Sequence, residues 1–172
     1  MARISPVNKS ELSPAVQSAL ENRVKEKELS IVNCMGTLGH SEAALEAYST
    51  WYPLYEEVKK ILGTRLANLF AYSISSASDC TLCTAFFRQL ITKAGEDPDS
   101  LFLTESQKDV LDFGAGIARY HGNINDYLYD TVARRYSKQE MVTLVAFAGQ
   151  MIAANIFNNV VETDLDEIDS KQ

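Results

Sequence analysis

Apolar residues recur along this chain at helical spacing, and no segment shows sustained period-two alternation bounded by turn signals. Residues 1–12 lack periodicity and read as an extended arm. Ser13-Pro14 then offers a side-chain cap followed by proline at the first helical position, and Val16, Leu20 and Val24 continue that helix. The next stretch holds Cys34, is broken by Gly36 and Gly39, and ends at His40. Ser41 caps a helix with Ala44, Leu45, Tyr48, Trp51 and Tyr52 along one side. Pro53 is expected to kink or end it before Leu54 to Leu62 resume the pattern up to Gly63. Thr64 reads as the cap of a helix with Leu66, Leu69, Phe70 and Ile74 at core spacing, weakened at its far end by Ser73, Ser75, Ser76 and Ser78. Asp79 reads as the N-cap of the next, which carries Leu82, Phe86, Leu90 and Ile91 and stops at Gly95.

Thr104-Glu105-Ser106-Gln107 is a capping box that opens a helix to about His121, closed by Gly122. A shorter helix over 123–136 turns Ile124, Tyr127, Leu128 and Val132 inward. A second capping box, Ser137-Lys138-Gln139-Glu140, starts a long apolar helix ending near Val161. These elements predict an all-α chain, a multihelical bundle of antiparallel neighbours. The 172 residues suit a single domain over 1–172, with an arm at 1–12, a helical core at 13–162 and an acidic tail at 163–172.

Charge and composition narrow the partners. The formal net charge is -7 and the pI about 4.8, and Arg134-Arg135 and Lys59-Lys60 are short pairs without a basic stripe, so no nucleic-acid partner is expected. The run from Met141 to Val161 is long enough to cross a membrane, but Gln150, Asn155, Asn158 and Asn159 would be costly in lipid. It therefore reads as a buried core helix, with no membrane partner. Three cysteines, an odd number, and no basic start followed by an apolar signal segment point to a reducing, cytoplasmic setting.

In such a setting Asp79-Cys80-Thr81-Leu82-Cys83 is the stretch that bears chemistry. Two thiols three residues apart at a helix start lie on nearly one face, close enough to bridge, and the first-turn N–H groups favour a thiolate. The dipole makes Cys80 the more acidic thiol and Cys83 its partner in the disulfide. Burial as two small apolar side chains is the inert alternative. A thioredoxin-like dithiol would need a strand before the motif, and Leu66 to Ser78 reads as helix instead. A zinc site would have only Cys34 and His40 to add, at spacings unlike the usual knuckles. A dithiol on an all-helical scaffold remains.

The Gly63-Thr64 turn, the helix with Arg65-Leu66-Ala67, the small polar run, the cysteine pair and the Gly95 loop together resemble the alkylhydroperoxidase D and carboxymuconolactone decarboxylase-like family. The likeness is clearest from about Leu54 to Phe102 and weaker to about Asn159. The resemblance implies an alkylhydroperoxidase D-like all-α fold, Cys80 and Cys83 as the catalytic residues, and assembly as trimers or hexamers. It also makes Cys83 the attacking sulfur and Cys80 the resolving one, opposite to the dipole argument. In peroxidatic members a Glu precedes the first Cys by twelve residues and a His follows the second by four. Those positions are Asn68 and Phe87 here, and a His found between the cysteines of some members is Leu82. Asn68 cannot titrate, and Phe87 sets an apolar wall one turn after Cys83 where a proton acceptor would stand.

His121, at a helix end, reads as a capping residue and His40 as a turn residue. Trp51, Tyr52, Tyr55, Phe70, Tyr72, Phe86 and Phe87 read mostly as core, some of them lining a pocket by the cysteines. Asn155, Asn158 and Asn159 need partners inside the bundle or across a subunit contact. The expectation is a thiol/disulfide oxidoreductase with at most weak peroxidase activity, reset by a thiol reductant protein or a small thiol, with no metal or organic cofactor. The alternatives are a non-catalytic oligomeric binding module, or a decarboxylase-like enzyme acting on a small molecule without the cysteine pair. A homo-oligomer is expected on either of the first two.

Overall fold

The computed structural model describes residues 1–7 and 32–166. Among them the helices are α1 (Val32–Leu38), α2 (Glu42–Ser49), α3 (Trp51–Leu62), α4 (Thr64–Ala77), α5 (Thr81–Lys93), α6 (Glu105–Arg119), α7 (Asp126–Ala133) and α8 (Lys138–Val161), with no strand. The fold is all-α as expected. The helix predicted from Ser13-Pro14 lies outside the described residues, as does the tail beyond residue 166.

Both capping boxes form. Thr104 accepts from the Gln107 N–H and Ser137 from the Glu140 N–H, and each third residue's side chain returns the bond. Two boundaries differ from expectation. The break near Pro53 falls earlier, at Thr50, so proline sits in the first turn of α3, where helix N–H groups have no intrahelical partner and its missing one costs nothing. Thr64 is already helical, and Gly63, at φ 77°, takes the N-cap position without a side-chain bond.

Helix α4 is the axis of the core. Ala67, Phe70, Ala71 and Ile74 are fully buried on it, against Val110 and Phe113 of α6, Val58 of α3 and Leu144 and Phe147 of α8. Gly114 permits the close approach of α6, since a Cβ there would lie 2.5 Å from a Phe70 ring carbon. Arg65, at the start of α4, bridges to Glu96 at 2.6 Å and donates to the Phe102 carbonyl, which fixes the loop leaving α5.

Helix α8 is only half a core helix. Met141, Leu144, Phe147, Ala148, Met151 and Asn155 face inward, while Val142, Val145, Ile156 and Val160 are exposed. Its length and composition would allow it to cross a membrane, but one face is built into the bundle. The expectation of a buried helix is corrected here: the run is apolar on both sides, and the bundle covers one.

The first seven residues are docked. The Arg3 N–H donates to the Val161 carbonyl, its side chain pairs with Glu162 at 2.7 Å, and the Val7 N–H reaches the Gly36 carbonyl. At the other end of α1, the Asn33 N–H donates to the Asp166 carboxylate at 2.8 Å. Helix α1, with Cys34, is thus held between the two ends of the described chain.

Candidate functional site

The cysteine pair sits where α4 hands over to α5. The chain leaves α4 through a left-handed residue, Asp79 at φ 51°. Its N–H returns to the Ser76 carbonyl and the Cys80 N–H to the Ser75 carbonyl, the paired bonds of a Schellman ending. Asp tolerates this conformation better than most residues. The N-cap of α5 is therefore Cys80, one residue later than expected of Asp79. The Cys80 sulfur accepts from the Cys83 N–H at 3.4 Å.

All three cysteines are free thiols, buried in one cluster with Leu38, Leu45 and Leu82. Cys80 is held below the usual thiol range, because the Cys83 thiol donates to it and the Cys83 and Leu82 N–H groups point at it, against the opposing effect of burial. Cys83 is pushed far above that range by the same hydrogen bond, in which it is the donor, and by burial. Cys80 is thus the more readily ionised of the pair, and Cys83 the one that keeps its proton. This is the order of acidity that the helix dipole predicts.

Both cysteines are buried, but their surroundings differ: a cleft open at one side is lined by Cys83 and Cys34 and not by Cys80. Trp51, Tyr52, Phe86 and Phe87 form its aromatic walls. The polar groups around it are turned into the protein: the Trp51 indole N–H onto the Met151 sulfur, the Tyr48 hydroxyl to the Ala153 carbonyl, and the Gln150 amide to the Thr50 hydroxyl. What faces the space is mostly hydrocarbon, ring and sulfur.

Asn158, from α8, closes the site. Its Nδ2 donates to the Cys83 sulfur at 3.3 Å, and its Oδ1 accepts from the Thr163 hydroxyl at 3.0 Å. It is the site residue whose role the sequence left open. The signal was its polarity within an apolar helix. Asn159 is spent on the Ser78 carbonyl, and Asn155 is fully buried with no hydrogen-bond partner for either side-chain atom among the described residues.

The two positions that the resemblance matched to a proton relay are built into the core. Asn68 is buried and accepts a hydrogen bond from the Tyr55 hydroxyl. Phe87 is buried among Trp51, Tyr55 and Phe86 as a cleft wall. Arg88 pairs with Asp99 and reaches the Tyr72 hydroxyl. His40 bonds the Ser5 carbonyl, and His121 takes a left-handed turn after α6. Among the described residues, no histidine or carboxylate lines the cleft, and no group of three or more His, Cys, Asp or Glu side chains is placed to hold a metal.

No family model and no curated protein matches the sequence. Solved structures do match. A debrominase, Bmp8, superposes with a TM-score of 0.78 at 18% identity, over 95% of this chain and 91% of its own. A cysteine-to-alanine variant of that protein, solved in complex with 2,3,4-tribromopyrrole, superposes equally well at 17% identity. A Ralstonia eutropha peroxidase-related protein with an alkylhydroperoxidase AhpD core matches with a TM-score of 0.68 at 10% identity, over 96% of this chain and 93% of its own. An Agrobacterium tumefaciens protein of unknown function, described as an AhpD antioxidant-defence candidate, matches with a TM-score of 0.59 at 18% identity, over 75% of this chain and 97% of its own. The chain has the alkylhydroperoxidase D-like fold.

Proposed function

We propose that this protein is a thiol/disulfide oxidoreductase in which Cys83 attacks an electrophile held in the aromatic cleft and Cys80 resolves the product. The observation that carries this reading is the division of labour between the sulfurs. The sulfur that faces the cleft is the protonated member of the pair, and the sulfur behind it is the natural acceptor for its proton.

With a hydroperoxide, the Cys83 proton moves along the S–H···S bond to Cys80 while the Cys83 sulfur attacks the terminal oxygen. The O–O bond breaks, the departing alkoxide takes the proton from Cys80, and Cys83 becomes a sulfenic acid. The Cys80 thiolate then attacks the Cys83 sulfur and hydroxide leaves, so two electrons have passed from the dithiol to the peroxide. An external thiol, protein or small molecule, resets the disulfide by exchange. Without a histidine or glutamate base the peroxide reaction is slow.

A second reading is favoured by the cleft's aromatic walls and by the debrominase, whose structure this fold follows over nearly its whole length. There Cys83 would take a halogen from an aromatic ring, the ring carbon would take the proton from Cys80, and Cys80 would expel halide in closing the disulfide. A protein held as a non-catalytic oligomer is the reading both must defeat.

The protein also assembles with itself in this proposal. The exposed valines and isoleucines of α8 form an uncharged stripe of the kind that marks a contact surface. Elution as a monomer at micromolar concentration, unchanged in Ile156→Asp, would remove the oligomer.

The deciding experiment gives the reduced protein one equivalent of cumene hydroperoxide or of a brominated pyrrole, then counts thiols and maps disulfides. Loss of two thiols in the wild type and none in Cys83→Ser is expected. Three intact thiols with both reagents would leave a packing role for the cysteines.

A further inference from the structure

The redox pair leaves one buried thiol unused. Cys34 is 6% exposed, belongs to the same buried cluster as Cys80 and Cys83, and is the other cysteine lining the cleft. Asn158, whose Nδ2 donates to the Cys83 sulfur, lines the cleft with both. Cys34 and Cys83 thus border one space within one packed cluster, and a disulfide between them needs their Cα atoms to come within about 7 Å. Cys34 rides on α1, a seven-residue helix. Among the described residues its hydrogen bonds to other segments run to residues 4–7 and 164–166, the Val7–Gly36 and Asn33–Asp166 bonds among them. Such an element can move by the distance a disulfide needs more readily than α4 or α5, which are locked in the main core.

We propose that Cys34 is a second resolving thiol, and that the oxidised site carries a Cys34–Cys83 disulfide as the form presented to the external reductant. This rests on the reading of Cys83 as the attacking sulfur. Two balanced steps lead there. The Cys34 thiol condenses with the Cys83 sulfenic acid left by a hydroperoxide, forming the S–S bond and releasing water. Alternatively the Cys34 thiolate, its proton passed to water at the cleft mouth, attacks the Cys83 sulfur of a Cys80–Cys83 disulfide and expels Cys80 as thiolate. No further oxidant is consumed in that step. Cys80 is the better leaving group, because the N–H groups at the start of α5 stabilise its charge, whereas burial disfavours charge on Cys34. The consequence is positional. A Cys80–Cys83 bridge offers the cleft one sulfur, with Cys80 behind it, whereas a Cys34–Cys83 bridge offers two.

The test oxidises the wild type and Cys80→Ser with one equivalent of cumene hydroperoxide, quenches in acid, and maps the disulfides by peptide mass. Serine is a favoured N-cap, so Cys80→Ser keeps the start of α5. The expected result is a Cys34–Cys83 peptide in both proteins, accumulating after a Cys80–Cys83 peptide in the wild type and forming directly, though more slowly for want of the Cys80 base, in the variant with loss of both remaining thiols. Absence of the Cys34–Cys83 peptide from the oxidised wild type, or a variant whose Cys83 stays a sulfenic acid, trapped by dimedone, with Cys34 still alkylatable, overturns the proposal. That failure is distinct from a failure of the underlying reading, in which the wild type would keep all three thiols.

Discussion

Replacing Asn158 probes the attack at Cys83 through the charge that develops there. In the resting site its Nδ2 donates to a neutral thiol sulfur at 3.3 Å, a weak bond. As Cys83 gives up its proton to Cys80 and turns on an electrophile, negative charge grows on that sulfur. A hydrogen bond to a charged group contributes about 1.5–3 kcal/mol. With about half of that charge developed at the transition state, the amide stabilises it over the ground state by about 0.8–1.5 kcal/mol, a factor of about 4–13 in rate. Asn158→Leu keeps the volume and burial and removes the donor. It also leaves the Thr163 hydroxyl without its acceptor, which costs about 1 kcal/mol and lowers Tm by about 2–4 °C in a chain this long. The assay uses Trp51, the one tryptophan, which lines the cleft, and follows its fluorescence in stopped flow against cumene hydroperoxide. A Cys34→Ser background keeps the third thiol out of the signal. A folded N158L that reacts at the parent rate, where Cys83→Ser does not react at all, would refute the claim that this amide stabilises the attacking sulfur.

Three further outcomes follow from the packing and the titrating groups. Gly114→Ala places a methyl 2.5 Å from the Phe70 ring in the main core and should cost about 1–3 kcal/mol in urea unfolding, whereas Gly149→Ala, with open space around it, should cost nothing; equal effects would contradict the packing. The Cys34 thiol is raised from 9.0 to about 12, chiefly by burial, so the unfolded chain ionises first. Its contribution to stability is complete below about pH 9 and falls as pH rises toward about 12, by at most about 1.4 kcal/mol per pH unit. Cys34→Ala should flatten denaturant-unfolding free energies measured over that window, and an unaltered slope would refute the assignment. Phe87→His puts a proton acceptor where the cleft has a ring. It should raise the hydroperoxide rate by about 10²-fold or more while lowering stability by about 2–3 kcal/mol, and a folded variant with an unchanged rate would count against the missing base as the cause of weak activity.

The helices that carry the site were legible because their ends are written in local chemistry. Thr104 with Gln107, and Ser137 with Glu140, announce helix starts without help from the rest of the chain. Asp79 has the composition of a cap too, but the Schellman bonds of α4 take its N–H and turn it left-handed, which moves the cap to Cys80. That competition between one helix ending and the next beginning is not visible in residue types. Phe87 as an apolar wall was legible from its place one turn after Cys83. Cys34 was not, because its nearness to Cys83 depends on where α1 docks, over a separation of about fifty residues. The three asparagines of α8 were legible as a polar anomaly, yet only the packing decides that Asn158 meets the Cys83 sulfur while Asn159 meets a carbonyl and Asn155 finds no hydrogen-bond partner among the described residues. For the same reason the exposed face of α8 was missed, since a run apolar all round carries no periodic mark of which side is covered.

The shifts of Cys80 and Cys83 are one property seen from two ends. The hydrogen bond that lowers the first is the largest cause raising the second, so neither thiol can be tuned alone. A site with a histidine separates the roles of nucleophile and base. In the proposed reaction the resolving sulfur serves as the base, and it becomes free to resolve only after the leaving group has taken its proton. Attack, protonation of the leaving group and disulfide closure would then be linked in a fixed order by a single hydrogen. An alkoxide, which demands that proton early, competes with the thiolate that must hold it, while a leaving group needing no proton until after bond cleavage does not. Comparing hydroperoxides whose alcohols differ in acidity reads this directly: the rate should rise as the leaving alcohol becomes more acidic in the wild type. That dependence should weaken in Phe87→His, where a second base relieves Cys80 of its double duty.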